Sequence, residues 1–405
     1  MLPNPVWVPP PSYEDHYWVA EADQMASRAR KAAASGPYQS TVPPEIAGLD
    51  LLMPATLAAD VEEAAAALAR FDSYAQATLG ADSATLGPMS SILLRTESAS
   101  SSQIENLTAS ARQSALAEID QSTSANARVV VGNVRTMEAA LDLADRLDAD
   151  AILRMQAELL KRQPGFAAHA GHYRDSLVWV GSSSLSPRGA VHVAPQAELV
   201  PAAMADLVEF IARDDVPVIP QAAIAHAQFE TIHPFADGNG RTGRALVHAM
   251  LRSKGILTTT TAPVSAGLLR HTNAYFETLN TYRTGDARPI IEQFADASRF
   301  AATSGAQLVD DLAAQVTDAR ERLGGLRPQA AAWRVLPHLV AHPVLNAALL
   351  RDELGMNDNT AHRALTQLTD AGVLTERTGL RRNRVWQHSG VIEVLDTYTQ
   401  ALHRG

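Results

Sequence analysis

The sequence predicts a mainly α-helical protein of two or three domains, interrupted near its middle by one short β-hairpin. Three observations carry that expectation. Apolar residues recur at three- and four-residue spacing along most of the 405 residues. The hydrophobic share, 46%, is enough to fill buried cores. The densest β-prone run, Leu177-Val-Trp-Val180, is followed by a second, Ala190-Val-His-Val193, with a Ser-, Gly- and Pro-rich turn over 182–188 between them. Composition also excludes some functions. Without cysteine there is no disulfide framework, no thiolate chemistry and no zinc–thiolate site. A net charge of −10 gives no global attraction to nucleic acid or anionic lipid, so such binding needs a local basic patch. No run of eighteen apolar residues and no basic-then-apolar leader occurs, so neither export nor a membrane partner is expected and the expected location is the cytoplasm.

Residues 1 to about 50 carry Pro3, Pro5, Pro9, Pro10, Pro11, Pro37, Pro43 and Pro44 around a helical patch at 20–34, which reads as an arm packed along the core. Trp7, Tyr13, Tyr17 and Trp18 are expected to anchor it by burying their rings. An alanine-rich helix follows at 54–79, and the first 85 residues form an arm-and-helices segment. At 102–105, Ser102-Gln-Ile-Glu105 reads by itself as a capping box at a helix start. Two helical patterns occupy 125–160. Gly171-His-Tyr-Arg174 then leads into the hairpin, and a helix at 203–212 precedes another whose stripe is Ala222, Ala225, His226, Phe229 and Ile232. His226 and Glu230 lie four apart there, without the further ligands a zinc site requires, so His226 reads as a buried, satisfied histidine.

Pro234 stops that helix, because the residue before a proline is pushed out of the helical region. His233 therefore sits where helix gives way to loop. Gly238-Asn239-Gly240 permits backbone conformations closed to other residues, and Ala245, Leu246, His248, Ala249, Met250 and Leu251 mark a second helix starting near Arg241. Unpaired amides of the glycine turn and of the helix start form an anion-sized nest. Arg241 and Arg244, three apart, can each fork onto phosphate oxygens. Asp237 offers a hard carboxylate of the kind Mg²⁺ takes alongside phosphates. His233 alone in the stretch can accept a proton near neutral pH.

The stretch from His233 to Arg244 resembles, position for position, the signature of the Fic family, His-x-Phe-x-Asp/Glu-Gly-Asn-Gly-Arg-x-x-Arg, whose members mostly transfer AMP from ATP to a protein hydroxyl. The resemblance covers roughly residues 90 to 300. It implies a helical catalytic bundle in which His233 deprotonates the target hydroxyl and Asp237 holds Mg²⁺. Asn239, with the amides of Gly238 and Gly240, would hold the α-phosphate, and Arg241 and Arg244 the outer phosphates. The hairpin matches the family's flap, which holds the target by strand addition. Tyr275 or Leu279 would border the adenine, with plain core packing as the alternative. Upstream, Ser101-x-x-x-Glu105-Asn106 resembles the family's inhibitory motif and implies an inhibitory helix near 101–118. Its Glu105 would take the place of the γ-phosphate against Arg244.

The helix at 306–323 ends at Gly324-Gly325, where a domain boundary is expected, so the catalytic core spans 86–325 and a further domain 326–405. Helices at 333–340 and 347–354 precede a third, opened by Met356-Asn-Asp-Asn359. A turn carrying Arg377, Gly379, Arg381, Arg382 and Arg384 leads to Val385-Trp386. Three helices and a basic two-stranded ribbon resemble a winged helix-turn-helix domain. Thr360, His362 and Arg363 on the recognition helix, with Arg381, Arg382 and Arg384 on the wing, are then the expected DNA contacts, while protein docking stays open. The implied partners are ATP, a protein target with an exposed hydroxyl and, through the wing, DNA. Transfer of another phosphate-containing group, removal of AMP, a nucleotide-sensing transcriptional regulator and a homodimer all stay open.

Overall fold

The computed structural model describes residues 5–20, 27–79, 84–161, 163, 165–181, 183–377 and 384–402. Elements run in the order β1 (Ser12–Trp18), α1 (Arg28–Ala34), β2 (Gly36–Val42), α2 (Ala55–Leu79), α3 (Leu86–Ile104), α4 (Ala111–Glu118), α5 (Ala125–Asp142) and α6 (Ala149–Leu160). Next come β3 (Trp179–Val180), β4 (His192–Val193), α7 (Val200–Ala212), α8 (Val218–Ile232), α9 (Asn239–Ser253), α10 (Val264–Leu269), α11 (Thr272–Tyr282) and α12 (Arg288–Arg322). The remainder holds α13 (Ala332–Val335), β5 (Val344–Leu345), α14 (Ala347–Leu354), α15 (Asp358–Asp370), β6 (Thr375–Glu376), β7 (Trp386–Gln387) and α16 (Ser389–Leu402). The mainly helical class is as expected. Among the described residues β1 pairs with β2, β3 with β4, and β5-β7-β6 form a third small sheet. No described helix is long and apolar enough to cross a membrane.

Internal contacts divide the chain into two units, one of residues 1–65, 136–254 and 272–295, the other of 66–135, 255–271 and 296–405. The first is built around α8. Every residue from Ile219 to Ile232 is buried, so the helix whose apolar stripe suggested one buried face is covered on all sides. Elements α7, α9 and α11 do the covering. Gly243 sets the approach of α9, because a Cβ there would lie 3.0 Å from the Phe229 ring and 3.1 Å from His226 Nδ1.

The N-terminal arm departs from expectation. It is an antiparallel hairpin with register from Ser12↔Val42 to Trp18↔Gly36. Helix α1 keeps part of the expected helical patch, while 21–26 lies outside the described residues. Trp7, Tyr13 and Tyr17 do not anchor the arm by burial, being 63%, 54% and 69% exposed. The reason is strand periodicity: Tyr13 and Tyr17 share the open face of β1, whereas Trp18 turns the other way. Its indole Nε1 donates to Leu185 O at 2.8 Å and its ring packs edge-on against Trp179.

In the second unit, α3 ends where the sequence by itself predicts a helix start. Ser102 Oγ donates back to Ser98 O at 2.9 Å, and Glu105 is the C-terminal cap, so no capping box forms. Asn106 follows at φ 61°. Asn106 N–H donates to Gln103 O at 2.9 Å and Leu107 N–H to Ser102 O at 3.1 Å, the paired bonds of a Schellman closure, which needs a left-handed residue at this point. The segment expected as one helix near 101–118 is therefore the end of α3, a loop, and α4. Further on, Asn346 and Asn357 cap α14 and α15, and Gly355 ends α14 at φ 58°. Leu336, Leu350, Ala361, Leu365, Leu368 and Trp386 bury into one core there. Strand β5 adds a third member to the expected two-stranded ribbon. Gly379, Arg381 and Arg382 lie outside the described residues.

Candidate active site

His233 ends α8 in the left-handed region, φ 49° and ψ 61°, with its N–H donating to Phe229 O at 2.8 Å. A helix end leaves several carbonyls without helical partners. Here donors from outside the helix meet them one after another. Arg283 Nη2 donates to Glu230 O at 3.2 Å, and His192 Nε2 lies 2.9 Å from Thr231 O. Arg174 Nη2 donates to Ile232 O at 3.4 Å, its Nε to His233 O at 2.8 Å, and its own backbone N–H to Pro234 O at 3.0 Å. The same guanidinium donates to Ser176 O at 2.9 Å, ahead of β3, and to Pro195 O at 2.6 Å, beyond β4. Arg174 thus ties both ends of the hairpin to the peptide of His233. Burial pushes its guanidinium down to about 10, so it stays charged at neutral pH and suits a helix C-terminus.

The side chain of His233 is 18% exposed, and its Nδ1 lies 3.4 Å from Glu230 Oε2 and 3.4 Å from Glu230 O. Burial raises the Glu230 carboxyl. The bond from His233 and the charges of His233, His226 and Arg244 more than offset this and hold it down at about 2. His226, expected as a satisfied core histidine, is buried with Nε2 2.6 Å from the Tyr275 hydroxyl. Burial pushes it down to about 4, so it is neutral. Tyr275 and Leu279 are both buried, and the Tyr275 hydroxyl is committed to His226.

After His233 the loop is closed by Asn239, whose Oδ1 accepts from Phe235 N–H at 2.9 Å and whose Nδ2 donates to Phe235 O at 2.8 Å. What Asn239 offers an anion is therefore its backbone N–H at the start of α9. Gly238 precedes it at φ 81°, and a Cβ there would collide with the Leu159 side chain. Asp237 Oδ2 accepts from Gln163 Nε2 at 2.6 Å and from Arg241 Nη2 at 3.2 Å. Gly240 lies in the first turn of α9, while Arg241 and Arg244 are 2% and 3% exposed within it. Base, carboxylate, amides and two buried arginines converge on one loop. That set can bind a phosphate chain and take a proton beside it.

Ser101, Glu105 and Asn106 belong to the second unit, with Ser101 buried and Glu105 half-buried. In the C-terminal stretch His362 and Arg363 are exposed on α15, and Thr360 N–H caps to Asn357 Oδ1 at 2.9 Å. Arg384 is exposed, lies 3.4 Å from Glu376 and stacks 4.7 Å over the Trp386 ring. Sequence reasoning missed Arg174, Glu230 and Arg283 as parts of this site. For Glu230 a signal existed, its position three residues before His233 on one helix.

Residues 146–251 match the Fic/DOC family. The "Protein adenylyltransferase Fic" of Nematostella vectensis is 31% identical over 165 residues, 40% of this chain and 34% of that protein. The "Protein adenylyltransferase fic-1" of Caenorhabditis elegans is 30% identical over 155 residues, 37% of this chain and 27% of that protein. The chain thus spans about a third or less of the length of these relatives. Among solved structures, a Fic family protein from Desulfovibrio desulfuricans G20 shares the fold with a TM-score of 0.51 at 22% identity, covering 83% of this chain and 97% of that one.

Proposed function

We propose that this chain, a Fic/DOC family protein through residues 146–251, transfers AMP from ATP to a Ser, Thr or Tyr hydroxyl of a protein. The observation that carries this reading is the set of groups that follows His233: the first-turn amides of α9, Arg241 and Arg244 for phosphate, and Asp237 for a metal that phosphate shares. The named activity of the relatives agrees with it. The α-phosphate sits on the amides at Gly238 to Gly240, and Arg241 and Arg244 neutralise the outer phosphates. His233 accepts the proton of the target hydroxyl, whose oxygen attacks the α-phosphorus as the bond to pyrophosphate breaks. Asp237 is the carboxylate that fits Mg²⁺, which takes one or two carboxylates together with substrate phosphates and offsets their charge.

Glu105 restrains the reaction in this reading, its carboxylate being the kind of group that competes with a terminal phosphate. Its support is the motif from Ser101 to Asn106 and the Asn106 closure that ends α3 beside it. The C-terminal helices and the β5-β7-β6 sheet we read as a winged helix whose exposed His362, Arg363 and Arg384 meet DNA phosphates or bases. Wild type, Glu105→Gly and Glu105→Gly/His233→Ala, each incubated with Mg²⁺ and ATP labelled at the α-phosphate, test the main reading. Label on protein from the Glu105→Gly variant, little from wild type and none after His233→Ala is the expected result. No label from any of the three overturns AMP transfer.

A further inference from the structure

His233 can act as a base through only one of its ring nitrogens, and what surrounds Nδ1 determines which. Both groups within reach of Nδ1 are acceptors: Glu230 O at 3.4 Å and the Glu230 carboxylate at 3.4 Å. An acceptor can be met only by N–H, so Nδ1 carries the proton and the bare lone pair is on Nε2. Glu230 is 7% exposed, and its backbone oxygen also accepts from Arg283 Nη2 at 3.2 Å. Arg283 Nε reaches the next residue at Thr231 Oγ1, 3.3 Å away. The charged and titratable groups facing Glu230 are His192 on β4, His226 on α8, Arg244 on α9 and Arg283 after α11, with His233 at the helix end.

We propose that Glu230 is a positioning residue of the transfer reaction: it fixes His233 as the Nδ1–H tautomer, aims Nε2 at the acceptor hydroxyl, and balances the imidazolium formed there. As the hydroxyl proton moves to Nε2, the freed oxygen electron pair forms the bond to the α-phosphorus and pyrophosphate leaves with the electrons of the broken bond. The ring then bears a positive charge with a buried carboxylate against its other face nitrogen. This arrangement acts through geometry and charge without Glu230 touching substrate. It rests on the AMP-transfer reading for its consequence, but not for the tautomer.

The test uses the full chain labelled with ¹⁵N-histidine, and long-range ¹H–¹⁵N spectra at neutral pH with His233→Ala to assign the signal. The wild-type ring should show one tautomer with Nδ1 protonated and Nε2 bare. Glu230→Leu, which removes the carboxylate and leaves only the long contact to the backbone oxygen, should show a mixture. In the Glu105→Gly background, Glu230→Leu should lower kcat for transfer by about 100-fold while the dissociation constant for ATP changes less than about twofold. A wild-type ring protonated on Nε2 overturns the proposal, and this measurement needs no variant at Glu230 to fold. So does a Glu230→Leu protein that keeps a single Nδ1–H tautomer and full kcat. Absence of transfer from every variant, with the tautomer as stated, instead counts against AMP transfer alone.

Discussion

At Arg174, one side chain serves the peptide oxygens of Ile232 and His233 and those at both ends of the hairpin. A lysine has the charge but not the planar fork, so Arg174→Lys cannot hold more than one or two of these oxygens. In the Glu105→Gly background Arg174→Lys should reduce transfer about 100-fold, the scale of an ångström-sized misplacement, while ATP still binds. Transfer at the parent rate, measured with the same labelled ATP, would show that the clamp is dispensable. Gly238 makes a separate prediction, because its φ of 81° and the Leu159 side chain both oppose a Cβ. Gly238→Ala should cost about 1–2 kcal/mol and weaken ATP binding, read by thermal melting and calorimetry. Residue by residue, the signature from His233 to Arg244 was legible because its spacing is local. Arg174 and Arg283 were not, since 59 and 50 positions separate them from His233 and no periodicity links those distances. Glu230 lay in plain view but stood four residues from His226 as well as three from His233, and only the left-handed turn at His233 decides which partner it meets.

At the scale of elements, the end of α3 shows how one residue type can be misread and still be in the right place. Serine, then carboxylate, three residues apart, fits a helix start, and the same letters here close a helix at Asn106. What distinguishes the two is the left-handed residue after Glu105, a preference of glycine and asparagine that the sequence did contain. Asn106→Gly should therefore leave melting unchanged within about 1 kcal/mol, whereas Asn106→Val, β-branched and strained at φ 61°, should cost about 1–2 kcal/mol. If Glu105 restrains transfer from this closure, Asn106→Val should also raise labelling of protein with Glu105 intact, and Asn106→Gly should not. Equal labelling by both variants would separate the helix end from the restraint. The β3–β4 hairpin was legible because its apolar runs flank a turn. The β1–β2 pair was hidden by prolines at both ends and by aromatic residues that suggested burial. Alternation along β1 sends Tyr13 and Tyr17 outward instead.

Across the whole molecule, buried histidines dominate the response to mild acid. His192 and His226 in the first unit, and His342 and His388 in the second, all have their pKa lowered, with burial the largest cause. His226 and His342 are pushed down to about 4, against about 6.5 in an unfolded chain. Between those values the unfolded chain binds protons that the folded one refuses, so stability is full above pH 6.5 and falls as pH drops toward 4. The lowered carboxyls Asp72 and Glu230 act in the same direction but only below about 4.5, where their unfolded forms begin to protonate. The window from 6.5 to 4.5 thus belongs to histidine. For a fully buried ring such as His226 the loss is on the order of 2–3 kcal/mol by pH 4, and several such rings should lower the melting temperature by several degrees between pH 7 and pH 5. His226→Gln keeps a polar partner for the Tyr275 hydroxyl but removes the titration. It should melt lower than wild type at pH 7 and lose less on going to pH 5. Melting that is flat from pH 7 to pH 5 in wild type would mean that these rings accept a proton without cost, contrary to their burial.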